Sequence, residues 1–391
     1  AWRWSACAAY NWVPLRHVGA KDDSMVQRRI GPADLVPGEP LPWDLFLADH
    51  SAGPQLRKGQ IITDGAQLGR LLQLGLYAGA PDQPSVLRLL NEAAQRLERL
   101  LLDLRSEGNA ERDVRDIGRD LLRALEHDAD IALASILLNQ IAGSYAVRHC
   151  IETALLAMLV GRSMHKSHDE LLLIGAAALT MNVGMLRHHD SFQDRRGPLN
   201  DEEMRIVRQH PRASTELLRC AGVDDEEWLS CVLLHHENDD GSGYPQGRTA
   251  DEILQNAKLI GLADRYCARV SARNYRRSIV PDQALQHIFL EQDVPIDPLL
   301  GEQFVKLLGK YPPGTLVRLR SGELGVVTQR GAALVHPLSD PLGAPLAAAE
   351  LSQMTPRDTA DRQFAIVSSL HEDDAGVHFS MRNVWGDEAR L

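Results

Sequence analysis

Five side chains in the middle of the sequence are of the types that bind divalent metal ions. Zinc, iron and manganese accept neutral imidazole and carboxylate groups as ligands. The candidates are four histidines and one aspartate, namely His149, His210, His235, His236 and Asp264. One histidine on a helix is usually structural, but two adjacent histidines followed by a carboxylate indicate a site. We therefore predict that these side chains converge on a metal.

A glycine-rich turn follows the histidine pair. It reads Asp240-Gly241-Ser242-Gly243-Tyr244-Pro245-Gln246-Gly247 and begins three residues after Glu237. Glycine permits positive φ and close approach of the backbone to a neighbour, and proline stiffens the exit of the turn. Composition alone leaves two interpretations open, a plain helix–helix connection at the surface or a functional loop.

The whole string, His235-His236-Glu237-x-x-Asp240-Gly-x-Gly-Tyr244-Pro245-x-Gly247, resembles the signature of the HD-GYP family. This family comprises bacterial phosphodiesterases of the HD superfamily that hydrolyse cyclic di-GMP. Two further stretches are similar to the family: Arg195–Glu203 running on to His210-Pro211, and Ala263-Asp264-x-Tyr266 followed by Arg273-Asn274-Tyr275-Arg276. The resemblance covers residues 140–300 and implies a helical bundle of the HD type.

The aligned catalytic doublet departs from the family. There a helix carries His-Asp-x-Gly-Lys, and the aspartate bridges two metal ions; here the same positions are Met181, Asn182 and Met185 around Val183-Gly184. Asparagine offers one neutral carbonyl oxygen, and methionine offers a soft thioether. Holding two divalent cations close together requires anionic charge that this stretch lacks. We therefore identify no catalytic residue and expect a degenerate site.

The resemblance implies that His210, His235 and His236 surround one metal. A single Fe, Mn or Zn ion is therefore expected, and an empty, hydrogen-bonded relic is the alternative. Two other His-Asp doublets, His168-Asp169 and His189-Asp190, are out of register with the family alignment, so we expect neither to restore the site.

The resemblance also implies ligand contacts. Gly243, Tyr244 and Pro245 belong to the loop signature, and Arg273 and Arg276 match positions where the family places cations against its ligand. Guanidinium groups pair with phosphate through two hydrogen bonds and stack on purines, which suits a dinucleotide. A solvated pair of arginines at a helix end is the alternative for these two.

Three functions remain open from the sequence. The first is a degenerate HD-GYP protein of cyclic di-GMP signalling, acting as a receptor or interaction scaffold with weak or absent hydrolysis. The second is an active metal-dependent phosphodiesterase with a rearranged metal site. The third is a module that binds a diguanylate cyclase or another signalling protein through Gly241–Gly247 without a nucleotide.

Composition restricts the partners. The chain has 391 residues and a formal charge of −11, which disfavours broad electrostatic binding to nucleic acid or to an anionic membrane. Five cysteines without a Cys-x-x-Cys pair favour a reducing compartment, so we predict a cytoplasmic protein. The apolar run Leu171–Leu186 is shorter than the ~20 residues of a membrane span and predicts a buried core helix.

The elements that position these residues are mainly helical. We predict an HD-type helical bundle with a small N-terminal α+β module and a small C-terminal β domain. Asn200 and Glu203 form a capping box that begins a helix, and we expect this helical segment to end at His210. Local patterns also predict a strand at 43–47 and a helix at 67–76. After Tyr311 the pattern changes to a hairpin of strands 316–319 and 324–328, with further strands at 332–335 and 364–368. The expected divisions are an extension (1–24), the α+β module (25–80), connecting helices (81–125), the HD-GYP-like domain (126–310), the β domain (311–370) and a poorly ordered polar tail (371–391).

Overall fold

The computed structural model describes parts of residues 27–79 and residues 84–391 apart from 105–107, 194–196, 272–277, 290–294 and 332–333. The predicted extension 1–24 and most of the helix predicted over residues 67–76 lie outside the described residues. The chain divides into two units, Ala1–Pro84 and Ser85–Leu391.

The first unit contains a three-stranded antiparallel sheet. Its strands are β1 (Gln27–Arg29), β2 (Leu45–Leu47) and β3 (Leu76–Gly79), and β3 lies between the other two. Leu45 is fully buried and pairs with Ala78. The sequence predicted a strand at 43–47, and the structure confirms a strand there.

The second unit is built on a helical body. Its helices are α1 (Val86–Leu102), α2 (Ala110–His127), α3 (Ala129–Leu137), α4 (Tyr145–Ser163), α5 (His168–Thr180), α6 (Leu186–Gln193), α7 (Asp201–Cys220), α8 (Glu226–Leu234), α9 (Gln255–Val270), α10 (Pro281–Phe289) and α11 (Pro298–Leu308). One apolar core runs through these helices, including α1 and α2, which the sequence had suggested only connect two domains.

Helix α5 lies at the centre of this body. Ser167 and Glu170 form a capping box at its start, and every residue from Leu171 to Thr180 is buried. By length and composition, the stretch His168–Phe192 could cross a membrane, but 78% of its most apolar window is buried inside the protein. That burial is typical of a core helix, as the sequence predicted.

Helix α7 begins as predicted and ends later than predicted. Asn200 and Glu203 form the expected capping box. The sequence suggested a helical segment ending at His210, but the helix continues through Pro211 to Cys220. Proline removes one backbone donor from a helix interior, and the side chain of His210 compensates for that loss, as described below.

A five-stranded antiparallel sheet follows the helices. Its strands are β4 (Leu316–Leu319), β5 (Leu324–Val327), β6 (Leu334–Pro337), β7 (Arg357–Asp358) and β8 (Ile366–Leu370), in the spatial order β7-β6-β5-β4-β8. A short helix, α12 (Ala348–Leu351), lies between β6 and β7. The predicted hairpin and the later strands are confirmed within two residues at each end.

The expectation of a poorly ordered tail is wrong. Residues after β8 form α13 (Glu372–Ala375) and α14 (Met381–Trp385). Met381 and Ala389 are 2% exposed within the helical core. The Trp385 indole N–H donates to the carbonyl of Thr328 at 3.3 Å, so the last segment closes over the sheet.

Candidate metal and ligand site

His210 is oriented by the proline that follows it. Pro211 has no N–H, so the carbonyl of Val207 loses the partner that a regular helix would supply. The Nδ1 atom of His210 lies 2.6 Å from that carbonyl oxygen, and because a carbonyl only accepts, Nδ1 carries the proton. This tautomer leaves the lone pair of Nε2 directed away from the helix.

His235 is fixed in the same way at the end of α8. Its Nδ1–H donates to the carbonyl of Val232 at 2.7 Å. The Nε2 atoms of His210 and His235 are 3.3 Å apart, and in these tautomers both present a lone pair. Two nitrogen ligands of a tetrahedral ion at ~2.0–2.1 Å would stand about 3.3–3.4 Å apart. The spacing therefore fits a shared cation.

His236 completes a three-histidine cluster. One ring nitrogen from each of His210, His235 and His236 lies within 4.8 Å of the others. Burial, reinforced by the charge of His235, lowers the pKa of His210 to about 3. Burial also lowers the pKa of His235, and that of His236 well below its usual value. All three imidazoles are thus neutral near pH 7, which is the form that binds metals.

The two remaining candidates, His149 and Asp264, form a separate pair beside this cluster. His149 Nε2 lies 2.7 Å from Asp264 Oδ1, and Asp264 Oδ2 lies 4.0 Å from His236 Nδ1. Burial alone would raise the pKa of Asp264, but the hydrogen bond and charge of His149, with those of His236 and His235, hold it below its usual range. Asp264 is therefore a carboxylate that faces both groups of histidines.

The aligned doublet directly follows α5, whereas the sequence predicted a buried helix running on to Leu186. Met181 is fully buried and Asn182 is 2% exposed. The Asn182 side chain contacts the thiol of Cys150, and its Oδ1 has no hydrogen-bond partner among the described residues. A buried amide oxygen without a donor is costly unless a cation or water meets it. Asn182 can thus act as a neutral ligand, with no anionic bridge.

The turn after Asn182 packs directly on α7. A Cβ atom at Gly184 would lie 2.6 Å from the carbonyl oxygen of His210 and 2.6 Å from the amide nitrogen of Ser214, so only glycine fits. The Ser214 hydroxyl donates to the Met181 carbonyl at 2.7 Å. These contacts hold the end of α5 against the histidine of α7.

The glycine-rich loop covers the cluster. A Cβ at Gly243 would come within 2.4–2.6 Å of the backbone of residues 236–238. The Tyr244 amide donates to the His236 carbonyl at 3.1 Å, and the two rings are 4.7 Å apart. Glu237 accepts from the amides of Gln246 at 2.7 Å and Arg248 at 2.9 Å, which ties the loop back to α8. The sequence had not assigned Glu237 this role.

The structure also places His189 near His149, and the expectation that it does not restore the site stays a prediction. On α6, its ring lies 5.8 Å from that of His149 and 5.4 Å from that of Tyr145. Tyr145 stacks on His149 at 5.6 Å. The available signal was the position of His189 seven residues after Asn182, on the helix that follows the aligned doublet. His168 and Asp169 are exposed, as expected.

Glu152 is a second buried group that the sequence did not indicate. It lies one helical turn after His149, is fully buried, and accepts a hydrogen bond from Ser271. Burial raises its pKa to about 7 despite the lowering effects of Ser271 and Arg148.

Ser271 directly precedes residues 272–277, so Arg273 and Arg276, the predicted ligand contacts, lie outside the described residues.

Residues 114–300 match the family described as HD domain. The chain is 31% identical over 207 residues to the cyclic di-GMP phosphodiesterase PA4108 of Pseudomonas aeruginosa, covering 53% of this chain and 50% of that protein. It is 29% identical over 168 residues to the 3'3'-cGAMP-specific phosphodiesterase 3 of Vibrio cholerae, covering 43% and 36% respectively.

A solved structure is also similar. The HDG"Y"P protein Bd1817 from Bdellovibrio bacteriovorus aligns with a TM-score of 0.48 at 13% identity, covering 71% of this chain and 98% of that one. The match spans half the length, or less, of both curated relatives.

Proposed function

We propose that this chain, which belongs to the HD-GYP family, is a receptor for a cyclic dinucleotide, either cyclic di-GMP or 3'3'-cGAMP, with weak or no hydrolysis. The observation that carries the proposal is the neutral amide of Asn182, whose Oδ1 is buried without a hydrogen-bond partner among the described residues. The resemblance given above aligns this residue with the family's bridging carboxylate. The cytoplasmic location of the protein stays a prediction.

The donor set supports one divalent ion. His210, His235 and His236 would hold it, and their neutral imidazoles do not compensate its charge of +2, which Asp264, 4.0 Å from His236, offsets in part. A bound ion would supply Lewis-acid polarisation of a phosphoryl oxygen. Such a site attracts a phosphodiester anion. The ligand can therefore bind even where the groups needed for nucleophilic attack on its phosphorus are incomplete.

Hydrolysis is expected to be slow for an electrostatic reason. A second cation close to the first needs a carboxylate between them. In Asp264, however, Oδ1 already bonds to His149, and Oδ2 lies 4.0 Å from His236. Every ~1.4 kcal/mol of lost transition-state stabilisation lowers the rate tenfold. Loss of an anionic bridge worth several kcal/mol would therefore lower the rate by orders of magnitude.

One observation favours a second candidate, an active phosphodiesterase with a rearranged metal site. The ring of His189 lies 5.8 Å from that of His149, which is itself bonded to Asp264. In this alternative His189 takes the place of the missing histidine, and Asp264 provides a carboxylate.

Metal analysis, calorimetric titration and a turnover assay on the purified chain separate these functions. The receptor proposal expects one equivalent of metal, saturable binding of cyclic di-GMP or 3'3'-cGAMP, and turnover near background. Two equivalents of metal with robust turnover would support the rearranged enzyme. A chain that binds neither dinucleotide would refute both, and a role as a protein-docking module would then account for the retained loop.

A further inference from the structure

Helix α7 carries four arginines that fall into two groups. Arg205 forms two hydrogen bonds with the Glu202 carboxylate, at 2.6 and 2.9 Å, and Arg219 forms two with Glu226, both at 2.7 Å. Arg208 and Arg212, which are exposed, make no ion pair with any residue that the structure describes. An acidic chain thus leaves two of these guanidinium groups without a carboxylate.

Those two arginines line a cavity next to the glycine-rich loop. Four residues apart, they share the exposed face of α7, whereas His210, two residues from each, is buried on the other side of the helix. With Tyr244 and Pro245 of the glycine-rich loop they line a cavity of about 870 Å³. The Tyr244 ring is 6.4 Å from that of His210, so the loop side of the cavity adjoins the cluster.

The size and charge of the cavity suit a nucleotide. Binding cavities for small molecules commonly measure ~300–1,000 Å³. Asp201 and Glu216 also line it, and neither carboxylate forms an ion pair with a residue that the structure describes. Glu216 lies one helical turn after Arg212 and offsets part of its charge. Against these two carboxylates the lining has three guanidinium groups, of which only that of Arg205 is paired, and the Tyr244 ring. Guanidinium groups bind phosphate, and an aromatic ring stacks on a base.

We propose that Arg208 and Arg212 bind a phosphodiester group of the cyclic dinucleotide in this cavity. The inference rests on the receptor function proposed above and names contacts other than those at residues 273 and 276. One phosphodiester lies at the histidine cluster, and the α7 arginines hold the other, so the ligand spans from the cluster to the helix surface.

Calorimetric titration with cyclic di-GMP tests this assignment on the full chain with Arg208→Gln, Arg212→Gln and the double variant. Arg219→Gln is the matched control, since it removes an arginine from the same helix away from the cavity. Each cavity variant should bind about ten- to hundredfold more weakly, as expected for loss of one charged hydrogen-bonded contact. The control should match the wild type.

Two further readouts make the outcomes distinct. Metal content should be unchanged in all variants, because none is a metal ligand, and the salt dependence of binding should weaken in the double variant. Equal affinity of the double variant and the control would overturn this inference while leaving the receptor function intact. Weakening of the control by the same factor would also overturn it, since the effect would then be one of overall charge. Failure of the wild type to bind would instead refute the receptor function itself.

Discussion

Replacement of Asn182 by aspartate restores the missing carboxylate and should make the stability of the protein depend on metal. Asn182 is 2% exposed, so the new carboxylate would be buried among helices. Glu152 in the same helical body provides a scale, because burial raises its pKa from 4.5 to about 7. At ~1.36 kcal/mol per pH unit, an equally buried aspartate destabilises the metal-free protein by about 3 kcal/mol above pH 7.

The sign of the pH effect follows from linkage. A carboxyl group whose pKa is raised by folding costs nothing below its unfolded pKa of ~4, where both states are protonated. Its cost grows with pH and is complete above the folded pKa. Metal-free Asn182→Asp should therefore unfold like the wild type near pH 4 and be the less stable of the two at pH 8.

Urea unfolding with chelator and then with excess Mn²⁺ measures both effects, alongside metal analysis. The variant should regain its stability with Mn²⁺ and bind one more equivalent than the wild type. Asn256→Asp is the matched control: Asn256 is 5% exposed, and its Oδ1 also lacks a partner among the described residues. Its amide donates to Glu227, so this control should be destabilised without rescue by metal. No extra metal and no rescue in Asn182→Asp would refute the alignment of this position with the bridging aspartate.

Three further variants test the site and its surroundings. His210→Ala should lose the bound metal, whereas the exposed His168→Ala should retain it, and elemental analysis distinguishes the two. Glu152→Gln should be more stable than the wild type by up to about 3 kcal/mol at pH 8 and equal to it near pH 4. The reason is that it removes a buried carboxylate whose pKa is raised to about 7. A difference in urea unfolding that does not change with pH would contradict this. Gly243→Ala introduces a Cβ within 2.4–2.6 Å of backbone atoms, so it should destabilise the loop by about 1–3 kcal/mol and weaken dinucleotide binding; wild-type affinity would show that the loop position does not matter for the ligand.

Several features of the fold followed from local sequence. The capping box at Asn200 and Glu203, the apolar run of α5 and the turn residues before β4 each depend on neighbours only a few positions away. Such short-range preferences act wherever the segment lies in the fold. The end of α7 was missed because a proline usually ends a helix, and the compensation by His210 is a side-chain contact that the helix pattern does not show.

The sequence by itself determined which side chains are available: histidine nitrogens, a glycine-rich loop, and an amide where a bridging carboxylate would be needed. Tertiary structure alone decided how they are grouped. It separated His149 and Asp264 from the three-histidine cluster, brought His189 to His149, and left Arg208 and Arg212 unpaired beside Tyr244. These groupings join helices that are distant in the chain, so their distances are set by how the core packs, which no local pattern encodes.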